Sequence, residues 1–296
     1  MDNLLNIFSL QFLAYVVLAT SILSFWISVD KRISLAVFCS AILLGISSNL
    51  ITPIALLPIG FMGLFTYFFY RENTSAITKL SLFAGIVVVS SAAFLHKIPG
   101  YNNWQVDPSI KLSEGSVSFP FWLNFDKPMV ALCFLFFAYS PKLEFKQYKE
   151  IFVRNFHLFL VSVALLFIFG TLFKYIVFDP KLPSIGFILL WMMKMLFFTV
   201  IVEELFFRFF IQDNLVKILG EGKNKQIIGL FLASSLFGIA HFSGGISFVL
   251  LAFVAGLFYG GIYLKTKRLE MAILLHFLLN SLHFFFFSYP YYEVVA

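Results

Sequence analysis

Long apolar runs alternate with short polar connectors along the whole chain. The runs fall at about 4–28, 33–49, 51–70, 79–95, 128–140, 156–178, 184–210, 227–242, 246–264 and 271–289. Most reach the roughly 17–25 residues that carry a helix across about 30 Å of hydrocarbon. They are continuous rather than alternating residue by residue, so they predict helices and not the strands of a membrane barrel. The expected fold class is therefore all-α, a polytopic membrane protein with nine to ten transmembrane helices. The short run at 128–140 and the near contact of two runs at Leu50 set that range. Met1-Asp2-Asn3 lacks a cationic start, so the first run reads as a retained helix and not as a cleaved leader.

Two polar stretches interrupt the pattern. Residues 96–127, HKIPGYNNWQVDPSIKLSEGSVSFPFWLNFDK, read as an ordered outer loop that Tyr101, Trp104 and Trp122 anchor at the interface. A cap that gates substrate is the alternative reading. Residues 141–154, PKLEFKQYKEIFVR, form the main cytoplasmic segment, with lysines suited to lipid headgroups.

Composition agrees with a lipid solvent: 60% of residues are hydrophobic, 12% are charged, and 42 are Phe. Lys and Arg set the orientation, because basic loops stay in the cytoplasm. With the N-terminus outside, the inner loops hold Lys31, Arg32, Arg71, Lys79, Lys142, Lys146, Lys149, Arg154, Lys217, Lys223, Lys225, Lys265, Lys267 and Arg268. The outer loops hold only Lys97, Lys111, Lys127 and Lys181. The net charge of +6 thus reflects inward bias and contact with the lipid bilayer. No basic patch with interleaved aromatics suggests nucleic acid as a partner. The only cysteines, Cys39 and Cys133, lie in apolar runs and suggest no disulfide framework.

Against this background Ile201-Val202-Glu203-Glu204-Leu205-Phe206-Phe207-Arg208 stands out. An ionisable group at bilayer depth costs about 2.5–3.5 kcal/mol on insertion scales, so three within six residues need protein or water around them. Glu204 and Arg208 are i,i+4 and can pair on one helix face. Glu203 is rotated about 100° from Glu204 and is left as the candidate reactive carboxylate. On this segment alone, a structural ion cluster, a transport site and a catalytic site all remain open.

Later segments add complementary chemistry. His241 ends an apolar helix, and His276 and Asn280 lie one turn apart on another. Amide hydrolysis needs a base to activate water, a donor to stabilise the oxyanion, and groups to orient both. Glu203 can be the base and Asn280 the oxyanion donor. His241 and His276 can orient water or, with Glu203, hold a divalent metal such as zinc. His96, His157 and His283 read as structural. Lys174 can snorkel outward, whereas Lys194, nine residues before Glu203, points to roughly the opposite face and needs a separate partner or a water-filled crevice.

The order Glu203-Glu204-x-x-x-Arg208, Phe237-x-x-x-His241, His276-x-x-x-Asn280 resembles the CPBP family, which groups type II CAAX prenyl endopeptidases with bacteriocin-processing enzymes. The resemblance covers about 183–289 and divides the chain into a helical membrane module, 1–182, and a CPBP-like catalytic core, 183–296. It implies an intramembrane endopeptidase in which Glu203, His241, His276 and Asn280 form the catalytic set. Glu204 and Arg208 match the other fixed positions of the first motif. The implied partner is a membrane-associated protein or peptide, and the implied location a bacterial inner membrane. Phe209 stands where many relatives have Gly, and a bulky ring there is expected to narrow the cavity or change the substrate shape without removing a catalytic group.

The family's mechanism is either glutamate-dependent, with no cofactor, or metal-dependent. No His-Glu-x-x-His motif is present to favour zinc. Depth is a partial check: counted from the cytoplasmic helix ends, Glu204 and His241 lie about 20 Å deep, but His276 only about 12 Å. A coupled transporter and a non-catalytic scaffold or immunity protein are the competing classes. The chain lacks the paired interrupted segments of the former, and its motif set is intact against the latter.

Overall fold

In the computed structural model, residues 9–27, 30–72, 74–141, 145–220 and 222–293 are described. Met1-Asp2-Asn3 and Lys142 lie outside them. Twelve α-helices carry most of this chain: α1 (Leu10–Ile27), α2 (Lys31–Ser47), α3 (Leu56–Phe69), α4 (Ala76–Phe94), α5 (Lys127–Phe137), α6 (Phe145–Leu172), α7 (Ile185–Met193), α8 (Ile201–Glu204), α9 (Asp213–Leu219), α10 (Lys223–Ala240), α11 (Gly245–Thr266) and α12 (Leu269–Phe286). Local chemistry sets several starts. The side chains of Asp30, Ser75 and Ser184 accept from the Arg32, Thr78 and Phe187 amides and so cap α2, α4 and α7.

Six helical stretches are long and apolar enough to cross a membrane: Leu10–Ile27, Ala76–Phe94, Lys146–Leu172, Ile185–Leu219, Phe242–Thr266 and Leu269–Phe286. Pro53–Phe69 and Lys127–Phe137 are apolar but shorter. At 11 residues α5 spans only about 16 Å, which accounts for the weak run at 128–140. The chain is an integral membrane protein.

One departure from the all-α expectation lies in the polar stretch 96–127. Strands β1 (Trp104–Ile110) and β2 (Phe119–Leu123) pair as a two-stranded sheet. Pro108 and Pro120 do not prevent it, because in two strands each has an unpaired edge where a missing N–H costs nothing.

Contacts group the chain into two compact units, neither contiguous in sequence. The first takes Met1–Pro108, Pro120–Leu143 and Leu196–Val202, and the second takes Ser109–Phe119, Glu144–Met195 and Glu203–Ala296. Residues 144–182, assigned by sequence to the N-terminal module, thus group with the C-terminal helices. Within the first unit α1 packs on α2 and α3 on α4 and α5. The buried Tyr15 hydroxyl donates to the Leu123 carbonyl at 2.6 Å. Asp126, also buried, accepts from His96 Nδ1 at 2.9 Å and from Asn103 Nδ2 at 3.2 Å.

Within the second unit α10 and α11 pack closely, and α6 lies against α11 and α12. Glycines permit that approach, as in other membrane helix pairs. A Cβ at Gly256 would meet Ser234 Cβ at 3.1 Å, and one at Gly238 would meet the Val249 carbonyl oxygen at 2.9 Å. The hairpin tip is tied to residues near the C-terminus: Glu293 N donates to Gly115 O at 2.9 Å and Val117 N to Tyr291 O at 3.3 Å.

Candidate active site

The helix from Ile185 to Leu219 does not keep a uniform pitch. Lys194–Val200 and Leu205–Gln212 are π-helical, with the wider i→i+5 turn, and they flank the single α turn that carries Glu203 and Glu204. Such widenings cost backbone geometry and recur at functional sites. Lys194, for which the sequence offered no role, is half-buried and opens the first of them.

Glu204 and Arg208 keep the i,i+4 relation expected of them. Arg208 Nε donates to Glu204 Oε2 at 3.0 Å, with both side chains fully buried. The other carboxylate oxygen has a partner the sequence did not suggest: His276 Nδ1 donates to Glu204 Oε1 at 2.8 Å. The depth count had set His276 too shallow for this contact. The arrangement brings the two groups together all the same, so equal counting from the helix ends does not describe this bundle.

Arg208 is only partly compensated. Its Nη1 and Nη2 are buried and have no hydrogen-bond partner among the described residues. The guanidinium lies instead 4.8 Å from the centre of the Phe237 ring and 5.8 Å from that of Tyr259, where the ring faces offer a cation some return for lost hydration.

Three of the remaining motif residues meet at an open cavity of about 110 Å³ lined by residues of the second unit. His241, His276 and Asn280 line it together with Tyr259, and mostly apolar groups from α6 and α11 complete the wall. His241 Nδ1 lies 2.7 Å from the Phe237 carbonyl oxygen, and a carbonyl only accepts, so that nitrogen carries the proton. The same reasoning holds for His276 against an ionised Glu204. In each neutral ring Nε2 is then the acceptor. Asn280 Nδ2 donates to the Met195 thioether at 3.2 Å, a weak acceptor that a developing oxyanion would readily replace.

Direct contacts therefore join Glu204, Arg208 and His276, and the cavity gathers His241, His276 and Asn280. Glu203 is buried but is not part of the cavity wall. Phe209 is half-buried and also outside the wall, so its ring does not narrow this cavity. His283 does line it, with Nε2 donating to the Ser288 carbonyl at 3.0 Å. Among the described residues no three His, Cys, Asp or Glu side chains are grouped to hold an ion.

Sequence reading passed over Tyr259, a buried residue of α11 that stacks on His276 with ring centres 4.4 Å apart and planes 14° from parallel. The available signal was Gly256-x-x-x-Gly260, a spacing that brings apolar helices into close approach.

A buried Glu–Arg–His array thus lies behind a mostly apolar cavity on helices long and apolar enough to cross a membrane. Residues 184–282 match the family model described as Type II CAAX prenyl endopeptidase Rce1-like, the same family that the three motifs resemble. That segment is about a third of the chain, and over it the chain is similar to the type II CAAX prenyl endopeptidases. No curated protein and no solved structure matches the chain.

Proposed function

We propose that this protein is an intramembrane endopeptidase that hydrolyses a peptide bond in a membrane-associated protein or peptide, using water activated by a glutamate–histidine pair. The observation that carries this reading is the Glu204–His276 contact at the edge of a cavity that also presents His241 and Asn280. With Nδ1 held by Glu204, His276 can take a proton from water at Nε2, and the carboxylate stabilises the imidazolium that forms. Asn280 exchanges its thioether partner for the oxyanion. His241 orients the water or shares the oxyanion through its second nitrogen. Glu203, the carboxylate first expected to be the base, then acts from outside the wall, and the proposal separates the two glutamates by experiment.

A lipidated or membrane-anchored C-terminal tail of CAAX type is the proposed substrate class, in keeping with the family and with the apolar wall. The proposed setting is a bacterial inner membrane with the N-terminus outside, as the distribution of Lys and Arg favours. Nine or ten crossings then require the shorter apolar helices α3 and α5, and at least one of α2 and α10, to contribute to the span count.

The test is cleavage of prenylated and transmembrane-anchored peptides by purified protein in detergent. Wild type is compared with Glu204→Gln, Glu203→Gln and His276→Ala, each with and without chelator. Loss of cleavage in Glu204→Gln and His276→Ala, with survival under chelator, is the expected result. Cleavage that survives both substitutions would overturn the glutamate–histidine assignment, and loss of wild-type cleavage under chelator would move the reaction to a metal.

A further inference from the structure

We infer that Tyr259 is a positioning residue for the proposed reaction, holding the His276 ring in the plane in which Nδ1 donates to Glu204. The inference rests on the peptidase reading for its kinetic part but not for its structural part.

An imidazole with one hydrogen bond has a fixed direction at one nitrogen and can still rock about that bond. A second constraint must fix the plane. Tyr259 supplies it, stacked face to face on His276 at 4.4 Å and 14°. Phe237 meets the same imidazole nearly at right angles, 88°, with ring centres 5.9 Å apart, so it borders the stack from another side. The hydrogen bond and the stack thus act on independent degrees of freedom, and together they leave Nε2 one direction.

Three features make Tyr259 more than general packing. It is nearly fully buried, so its ring has little freedom of its own. It lies 5.8 Å from the Arg208 guanidinium, so one ring contacts both groups that hold Glu204. Finally, Gly256 and Gly260 bracket it on α11: a Cβ at Gly256 would meet Ser234 at 3.1 Å, and one at Gly260 would collide with the Gln212 side chain. The backbone is stripped on either side of the one large ring directed at the site, which lets α11 approach closely enough for that ring to stack. The charged and titratable groups around His276 are Glu204 directly, Arg208 and His241 across the same aromatic cluster, His283 on the same cavity wall, and Glu203, which acts on the stacked Tyr259.

The experiment compares Tyr259→Phe, which keeps the stack, with Tyr259→Leu, which removes it. In ¹⁵N-histidine NMR of the protein in micelles, Tyr259→Phe should retain the His276 ring-nitrogen shifts of an Nδ1-protonated ring. Tyr259→Leu should average them toward mixed tautomers. On any peptide that wild type cleaves, Tyr259→Leu should lower kcat by at least about tenfold with KM little changed. Its pH profile should shift, and Tyr259→Phe should restore most of the rate. If Tyr259→Leu does not fold, Tyr259→Met, unbranched and of adaptable shape, takes its place. Unchanged His276 shifts in the non-aromatic variant would overturn the inference, as would equal loss in Phe and Leu. Full cleavage by His276→Ala would sink the peptidase reading instead, and the NMR comparison would still decide the positioning role.

Discussion

The first compact unit buries Asp126 against His96, but at its α1–α2 contact its buried polar groups differ in chemistry from those of the second. In the first, Ser24 Oγ lies 2.6 Å from both the Ser21 carbonyl oxygen and Ser34 Oγ, while Ser21 Oγ reaches the Ser34 carbonyl at 3.4 Å. Every one of these groups is neutral and small, and a helix carbonyl is always within reach as a substitute. In the second, Glu204, Arg208 and His276 form a chain of charged or chargeable groups, with two guanidinium nitrogens lacking partners. Hydroxyl pairs between membrane helices are worth little each and hold helices together. Buried ions are costly, so a site that keeps them with incomplete compensation points to a use beyond packing.

The largest test of that contrast is to remove one partner of the ion array. Arg208→Met should destabilise the fold by about 3–5 kcal/mol, because it strands the Glu204 carboxylate in a buried position. Glu204→Gln should cost about as much as Arg208→Met, since it leaves the guanidinium buried without its carboxylate and an amide has one acceptor oxygen for the two donors. The double variant, Glu204→Gln with Arg208→Met, should recover part of the loss by leaving no charge unpaired. Denaturant unfolding in detergent measures all three. A double variant less stable than either single one would show that the array contributes net stability, and would erase the distinction drawn from its cost.

A second, smaller effect concerns how the helices carrying the site are brought together. Gly260→Ala sets a Cβ against the Gln212 side chain and Leu230, and Gln212 Nε2 already donates to the Gly260 carbonyl at 3.1 Å. Overpacking of this kind costs about 1–3 kcal/mol. Gly261→Ala, where an added Cβ meets nothing within 4 Å, is the control and should be nearly silent. Equal losses at the two positions would mean that helix propensity, and not close approach, governs this stretch.

Much of this site was legible because its signals are local. Apolar runs announce membrane helices, and Glu204 with Arg208 announces a shared face by spacing alone. The six motif residues were found because charged and amide groups are conspicuous among Phe and Leu. What escaped depends on geometry between segments. The His276–Glu204 bond joins residues 72 positions apart, and no spacing encodes it. The π-helical turns around Glu203 have no residue signature, since backbone hydrogen bonds shift register without a Gly or Pro to mark them. Tyr259 was hidden because a tyrosine in an apolar helix usually signifies packing. The hairpin at 104–123 was hidden behind its two prolines, which argue against strands except at an edge.

The smallest effect is the sharpest check on the comparison, because it asks the first unit to be unremarkable. In Ser24→Ala the Ser21 carbonyl loses a side-chain donor but keeps its place in the α1 helix. The Ser34 hydroxyl, which accepts from Ser24, loses that donor and keeps its own proton for a carbonyl of its own helix. No ion is stranded and the lost volume is one oxygen. The expected cost is about 0.6 kcal/mol, the average for interhelical hydrogen bonds in membrane proteins. Adding Ser34→Ala should change little, since the two hydroxyls act as one unit and the second has no partner left to lose. Unfolding under the same conditions as Arg208→Met gives the ratio directly. Should Ser24→Ala cost as much as the arginine change, buried polarity in this protein would be uniformly structural, and the ion array would lose its claim to be set apart for chemistry.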